Sequence, residues 1–147
     1  MSRTDHVLVV EDNDDDYETV TEAVRRAGLA NQLRRAISGT DCVDMLLECL
    51  QHGSTLPALI LLDLNTPSAD GRDALVQIRE NTTLLTIPLV VLSASANPRD
   101  VATAYGNGAN AYHIKPVNHA THLEILQTIF AYWLNHAVLP THRSLSK

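Results

Sequence analysis

The stretch Leu-Ile-Leu-Leu-Asp at residues 59–63 decides the fold of this chain, because four aliphatic side chains end abruptly on a carboxylate. The same arrangement occurs where Val-Leu-Val-Val at residues 7–10 leads into Glu11 and Asp12. Uninterrupted aliphatic runs are typical of strands buried on both faces, as in parallel sheets covered by helices. Such sheets bind ligands at the carboxyl ends of their strands, so we expect Glu11, Asp12 and Asp63 to converge. Converging carboxylates repel one another, and the sequence therefore predicts a divalent cation at this edge.

Strand-like and helix-like segments alternate five times along the chain, which is the pattern of a doubly wound α/β domain. The predicted strands lie near residues 6–10, 33–37, 58–63, 88–93 and 110–114, and the predicted helices lie near residues 14–27, 41–51, 71–80, 98–106 and 119–135. We therefore expect one domain over residues 1–135 and a tail over residues 136–147, with no separate output domain.

The composition of the chain argues against a membrane-spanning, secreted or nucleic-acid-binding protein. The chain has 147 residues, of which 45% are hydrophobic, and this is enough to bury a core without disulfides. No apolar run approaches the roughly 20 residues that a membrane span needs, and the amino terminus lacks a signal-peptide pattern. We therefore expect a cytoplasmic protein that does not enter the membrane. The net charge of -6 argues against nucleic acid as a general partner, since phosphate backbones are bound by basic faces.

Five short motifs occur in order along the chain, four of them at the ends of predicted strands. They are Val-Leu-Val-Val-Glu-Asp-Asn at 7–13, Leu-Leu-Asp-Leu-Asn-Thr-Pro at 61–67, Asp-Gly at 70–71, Val-Leu-Ser-Ala at 91–94 and Lys-Pro at 115–116. Together they resemble the receiver domain of two-component response regulators, a member of the CheY-like superfamily. The resemblance implies an α/β fold of flavodoxin-like type, with a five-stranded parallel sheet in the order 2-1-3-4-5 and helices on both faces.

The resemblance also implies a role for each residue of the acidic edge. Asp63 would be the phosphoacceptor, which receives its phosphoryl group from a phosphohistidine on a sensor histidine kinase. Mg²⁺ would be the cofactor, because it cancels the repulsion between a carboxylate nucleophile and a phosphoryl group. Asp12 and Asp63 would bind the metal directly, Glu11 would bind it directly or through water, and Asn65 would contribute its backbone carbonyl oxygen.

Four further residues are expected to respond to the phosphoryl group. The Ser93 hydroxyl, the Ala94 backbone N–H and the Lys115 ammonium group would bind phosphoryl oxygens. Tyr112 would be the aromatic switch that swings inward, so that the signal is read from the face formed by helix 4, strand 5 and helix 5. A half-buried aromatic side chain on an edge strand is the alternative interpretation of Tyr112. In the family the peptide bond before Pro116 is usually cis, and we expect the same here.

The last predicted helix carries two apolar stripes, which are Leu123, Leu126, Phe130, Trp133 and Leu134, and Ile125, Ile129 and Tyr132. One stripe can pack on the sheet, and the other needs a partner. We therefore expect a symmetric homodimer with Ile125, Ile129, Tyr132 and Trp133 in its interface. The alternative is a moderately apolar helix with scattered exposed side chains.

The run Tyr-Trp-Leu-Asn-His-Ala-Val-Leu-Pro at residues 132–140 resembles the extension of single-domain regulators that pair with bacterial and cyanobacterial phytochromes. The upstream partner is then implied to be a light-sensing histidine kinase, and Asp63 would receive its phosphoryl group. The chain would be a phosphoacceptor and not an enzyme, apart from promoting loss of its own phosphoryl group. The competing hypothesis is a phosphorylation-independent dimeric binding module or a phosphate sink.

Two other site hypotheses are weaker. A phosphohydrolase would need a second acid two residues after its nucleophile, where this chain has Asn65. His119 and His122 have the i, i+3 spacing of a transition-metal pair, but the sequence offers them no third clustered ligand.

Overall fold

The computed structural model describes residues 6–64 and 70–140. They form a five-stranded parallel sheet in the order β2-β1-β3-β4-β5. The strands are β1 (Val7–Val10), β2 (Leu33–Ala36), β3 (Leu59–Asp63), β4 (Leu89–Ser93) and β5 (Ala111–Ile114), and the α-helices are α1 (Asp14–Arg26), α2 (Gly39–His52), α3 (Asp70–Glu80), α4 (Pro98–Gly106) and α5 (His119–Ala131). The predicted fold class and strand order are confirmed.

The register of the strands aligns their carboxyl ends at one edge of the sheet. Val10 of β1 lies beside Leu62 of β3, Asp63 lies beside Leu92 of β4, and Ser93 lies beside Ile114 of β5. Glu11, Asp63, Ser93 and Lys115 therefore leave the sheet at nearly the same level.

Alternate side chains of each central strand bury on opposite faces. In β1, Val7 and Val9 belong to the core beneath α1 and α5, whereas Leu8 and Val10 belong to the core beneath α2, α3 and α4. This explains why the strands are apolar without interruption, as expected for a parallel sheet covered on both faces.

Four helices begin on a residue whose side chain satisfies a free backbone N–H. Asn13, Ser38, Asn97 and Asn118 accept hydrogen bonds from backbone N–H groups in the first turns of α1, α2, α4 and α5. Such caps typically stabilise a helix by about 1 kcal/mol. These caps fix the residue at which each helix begins, just after the edge of the sheet that carries the predicted site.

The Asp-Gly motif at residues 70–71 joins α3 to α2. The Asp70 carboxylate accepts hydrogen bonds from the backbone N–H groups of Gly39 and Thr40 and, at 2.7 Å, from the Thr40 hydroxyl. The first turn of α3, which follows the segment after Asp63, is thereby attached to the start of α2.

The second apolar stripe of α5 is less open than the sequence predicts. Ile129 is only 2% exposed, and Ile125 and Trp133 pack against the core beneath α1 and α5. Ile129 is buried within the monomer because α5 packs against α1 as well as the sheet and so buries more than one stripe, and its predicted place in a dimer interface stays a prediction. Tyr132, at 52% exposed, begins a π-helical turn over Tyr132–His136.

None of the helices in the described ranges is both long enough and apolar enough to cross a membrane.

Candidate functional site

The carboxylate of Asp63 stands at the end of β3 with a cation against it. The Lys115 Nζ atom lies 2.6 Å from Asp63 Oδ2, and the Lys115 and Asp63 side chains are 8% and 5% exposed. Lys115 follows β5, and its backbone N–H donates a 2.7 Å hydrogen bond to the Ser93 carbonyl oxygen. This hydrogen bond extends the pairing of β4 and β5 by one residue. The Lys115 side chain therefore crosses the ends of the strands to reach Asp63.

The Lys115–Pro116 peptide bond is trans, so the expected cis bond is absent. The lysine reaches the acids without it, because the backbone bond to Ser93 already fixes the start of its side chain.

Glu11 is a buried carboxyl group at this edge whose pKa is strongly raised. It is 5% exposed, its Oε1 atom lies 3.5 Å from Lys115 Nζ, and its Oε2 atom accepts a 3.2 Å hydrogen bond from the Asn13 backbone N–H. Burial, a hydrogen bond with Asp63 and the charge of Asp63 raise the pKa of Glu11 to about 8, although Lys115 and Asn13 act in the opposite direction. Without a metal ion, Glu11 is therefore largely protonated at neutral pH.

Lys115 experiences the converse effect. Burial by itself would lower its pKa, but hydrogen bonds with Asp16 and Asp63, together with the negative charges of Asp63 and Glu11, outweigh burial and raise it. The lysine is therefore a permanent cation in the physiological range.

A third carboxylate in this cluster was missed in the sequence. Asp16, in the first turn of α1, lies 2.7 Å from Lys115 Nζ. Oxygen atoms of Glu11, Asp16 and Asp63 all lie within 4.8 Å of one another. The missed signal is helical spacing, since Asp16 precedes the buried Val20 by four residues and thus shares its face of α1.

Two of the predicted metal ligands, Asp12 and Asn65, are not part of the carboxylate group that the structure shows. Asp12 is exposed and does not belong to this group of three carboxylates. Asn65 lies outside the described residues. The direct coordination predicted for both residues stays a prediction.

The structure also reveals a clamp on the β1–α1 connection. Arg35 of β2 donates a 2.8 Å hydrogen bond from Nε to the Glu11 carbonyl oxygen and pairs with Asp14 Oδ1 at 2.8 Å. Its guanidinium carbon lies 5.0 Å from the centre of the Tyr17 ring. The planar guanidinium group makes all three contacts at once, which a lysine would not reproduce.

Ser93 and Tyr112 lie on the neighbouring strands. Ser93 is buried beside the end of β3, and its Oγ atom accepts a 3.1 Å hydrogen bond from the Ser95 backbone N–H. The Tyr112 hydroxyl donates a 2.8 Å hydrogen bond to the Ser95 carbonyl oxygen. The half-buried Tyr112 ring packs against the core beneath α2, α3 and α4, so it is turned toward the domain. The phosphoryl contacts of Ser93 and the Ala94 N–H stay predictions.

Among the described residues, no histidine belongs to the group of possible metal ligands at this edge. In residues 6–64 and 70–140, the group of three possible metal ligands contains carboxylates alone. His122 is 5% exposed, and its Nε2 atom has no hydrogen-bond partner among the described residues. Burial is the main cause that lowers the pKa of His122, with Lys115 as the next.

The donor set fits a hard divalent cation. Oxygen ligands without nitrogen or sulfur are those that Mg²⁺ prefers. An ammonium group already stands among the three carboxylates, and burial, with the hydrogen bond and the charge of Asp63, raises the pKa of Glu11. Glu11, Asp16 and Asp63 are therefore able to hold Mg²⁺ beside the acceptor carboxylate.

A sequence model of the response regulator receiver domain matches residues 7–127. The chain belongs to this family. Four motifs at strand ends, the Asp-Gly motif at the start of α3, the strand order and the Asp63–Lys115 pair thus describe a receiver domain.

Two curated relatives match most of this receiver domain. The response regulator Rcp1 of Synechocystis is 35% identical over 135 residues, which is 91% of this chain and 92% of Rcp1. The probable methanogenesis regulatory protein FilR2 of Methanothrix harundinacea is 34% identical over 128 residues, covering 87% of this chain and 83% of FilR2.

Solved structures are similar over nearly the whole chain. The phosphorylated cyanobacterial phytochrome response regulator RcpA superimposes with a TM-score of 0.86 at 33% identity, covering 94% of this chain and 99% of RcpA. The Mn²⁺-bound form of Rcp1 superimposes with a TM-score of 0.82 at 34% identity, covering 93% and 99%. This receiver domain is therefore similar to phytochrome-associated response regulators, one of which has been solved in a Mn²⁺-bound form.

Proposed function

We propose that this receiver domain is a phosphorylation-dependent signalling switch. In the cytoplasm, its Asp63 carboxylate accepts a phosphoryl group from a phosphohistidine of a sensor histidine kinase. The observation that carries the proposal is the Lys115 ammonium group, held 2.6 Å from Asp63 among buried carboxylates. That arrangement supplies a nucleophile, a cation for the transferred charge and oxygen ligands for a metal within one edge of the sheet.

The transfer exchanges one bond for another. A carboxylate oxygen of Asp63 forms a bond to phosphorus, the phosphorus–nitrogen bond of the phosphohistidine breaks, and the imidazole leaves with the bonding electron pair. Glu11, Asp16 and Asp63, with the predicted Asp12 and Asn65, would hold Mg²⁺, and a metal bound there would supply positive charge to offset that of the phosphoryl oxygens. Lys115 exchanges its hydrogen bond with Asp63 for one to a phosphoryl oxygen.

The response is read on the neighbouring strands. The Ser93 hydroxyl rotates from the Ser95 backbone N–H toward the phosphoryl group, and the Ala94 N–H adds a second donor. Ser93 and Tyr112 contact the same residue, Ser95, through its N–H and its carbonyl oxygen. A movement of Ser93 therefore reaches the α4–β5–α5 face through Tyr112.

A phytochrome-type kinase is the proposed upstream partner. The support is the similarity to RcpA and Rcp1, which extends over 94% and 93% of the chain and so includes the end of α5. We propose no enzymatic turnover of external substrates, since the acceptor has no neighbouring acid placed for general acid-base work at residue 65.

We also propose a homodimer, with an interface that differs from the predicted one. Tyr132 and Val138 are exposed apolar side chains, and the Tyr132 ring lies edge-on to the Trp133 ring with centroids 5.1 Å apart. We take these three, with the partly buried Ile125, as the candidate surface. Ile129 is excluded from it because it is buried in the monomer.

A second candidate function is a binding module that acts without phosphorylation. The position of Tyr112 favours it, since the hydrogen bond to Ser95 and the packing of the ring against the core hold the predicted switch side chain in place through the protein's own contacts.

Phosphotransfer from a purified phytochrome histidine kinase tests the first proposal. The kinase is loaded with radiolabelled ATP, separated from nucleotide and mixed with the native chain or Asp63→Asn in Mg²⁺. Transfer of label to the native chain alone, with a non-phytochrome kinase as the comparison, supports both the acceptor and the partner. Failure with both kinases, when the native chain is correctly folded and both kinases carry label, favours the binding module.

A further inference from the structure

We infer that Asp16 is a positioning residue that holds the Lys115 ammonium group against the phosphoacceptor Asp63. The inference rests on the function proposed above for Asp63, and it adds a role for a residue outside the five motifs.

The contact geometry supports this role. Lys115 Nζ lies 2.7 Å from Asp16 Oδ2 and 2.6 Å from Asp63 Oδ2, so one ammonium group bridges α1 and β3. Asp16 and Lys115 are 99 positions apart in the chain, and the bond is therefore a product of the tertiary fold. An ammonium group has three donors, and two of them are engaged by these carboxylates.

The start of α1 fixes Asp16 in place. Its backbone N–H donates a 2.9 Å hydrogen bond to the Asn13 side chain. Its side chain lies on the face of the helix that buries Val20 and Ala23. Asp16 thus lies at the amino-terminal end of the core-facing side of α1, next to the edge of the sheet that carries Asp63.

A purely local explanation accounts for its neighbours but not for Asp16. Acidic residues in the first turn of a helix stabilise it through the helix dipole. Asp14 and Asp15 already supply such charges and are exposed, whereas the Asp16 side chain is only 33% exposed. The direction of Asp16 toward Lys115 therefore needs a second reason.

The chemistry of transfer provides that reason. A lysine side chain has several rotatable bonds, so it loses its place when its acceptor changes. Once an Asp63 oxygen carries the phosphoryl group, that oxygen is no longer a free carboxylate acceptor. Asp16 retains the ammonium group while another of its protons turns to a phosphoryl oxygen.

The test uses the fact that the chain contains only two lysines, Lys115 and Lys147. Selective ¹³C and ¹⁵N labelling of lysine gives two sets of NMR signals, which Lys115→Met assigns. Asp16→Asn is compared with Asp15→Asn, which makes the same change of charge one residue earlier. We expect Asp16→Asn to raise the mobility of the Lys115 side chain severalfold and Asp15→Asn to leave it unchanged, with native melting curves for both.

Phosphorylation supplies the second readout. With a small phosphoryl donor and Mg²⁺, Asp16→Asn is expected to take up the phosphoryl group about tenfold more slowly, as befits the loss of one charge-assisted hydrogen bond. In a Lys115→Met background the same substitution has no further effect.

Three results decide the matter. Unchanged Lys115 mobility in Asp16→Asn overturns the inference, and so does an equal slowing in the Lys115→Met background, which assigns Asp16 to the metal instead. If the native chain accepts no phosphoryl group, the proposed function fails, while the NMR comparison still decides whether Asp16 positions Lys115.

Discussion

The ammonium group of Lys115 lies 2.6 Å from the Oδ2 atom of Asp63, although 52 positions separate the two residues in the chain. Both side chains are almost fully buried. The parallel register of β3, β4 and β5 creates this pair, because it places the ends of the strands side by side. The receiver domain therefore contains a counter-ion for its acceptor before any metal or phosphoryl group arrives.

Lys115→Met is expected to lower the free energy of unfolding by about 3 kcal/mol in the absence of Mg²⁺, because removal of one partner leaves buried charge unpaired. Urea denaturation at pH 7.5 measures the loss, and Lys147→Met, which changes the net charge equally, is the control. Addition of Mg²⁺ should restore part of the stability. A loss below about 1 kcal/mol would mean that the pair contributes little to folding.

Glu11 should make the metal-free protein less stable as the pH rises. Its pKa is raised from 4.5 to about 8, so the unfolded state loses this proton first. The stabilising contribution is complete below pH 4.5 and disappears as the pH passes through about 8. We expect the melting temperature to fall between pH 6 and 8.5 in EDTA, and Glu11→Gln to reduce that fall. An identical fall in both proteins would assign it to other groups.

His122 should act in the opposite direction. Burial lowers the pKa of His122 below its usual 6.5. The folded protein therefore loses stability relative to the unfolded chain as the pH falls below that value, because the unfolded chain binds this proton more readily. Its Nε2 atom is also buried without a hydrogen-bond partner. His122→Leu is therefore expected to stabilise the protein by about 1 kcal/mol at pH 7.5, and by more at pH 5.

Denaturation of the two variants at both pH values checks this prediction. The exposed His119, three residues earlier, provides the matched control through His119→Leu. A His122→Leu protein less stable than the native chain at pH 5 would contradict the account.

Ile129 and Tyr132 should separate folding from self-association. Ile129→Ala is expected to cost about 3 kcal/mol of stability because it leaves a cavity in the core. Tyr132→Ala should change stability by less than about 1 kcal/mol and weaken the proposed dimer. Denaturation and sedimentation velocity measure the two effects, and unaltered dimerisation of Tyr132→Ala would remove Tyr132 from the interface.

The fold could be predicted because its signals are local. Aliphatic runs ending on acids specify buried parallel strands, and the structure places β1 and β3 where those runs occur. The Asp63–Lys115 pair followed from the family motifs. Asp16 was missed because three consecutive aspartates look alike in sequence, and only the packing of α1 distinguishes the one that turns inward.

Other features depend on which elements pack together. The apolar pattern of α5 indicated two buried stripes but could not reveal that α1 covers part of the second, which buries Ile129. The clamp of Arg35 on the Glu11 carbonyl oxygen joins positions 24 residues apart and has no sequence motif. Family habit, and not the residues themselves, suggested the cis bond before Pro116.

Intact mass after incubation with acetyl phosphate and Mg²⁺ tests the central claim most directly. We expect a mass gain of one phosphoryl group in the native chain, with no gain in Asp63→Asn and no gain when EDTA removes the metal. An equal gain in Asp63→Asn, or no gain in a correctly folded native chain, would contradict the assignment of Asp63 as a Mg²⁺-dependent phosphoacceptor.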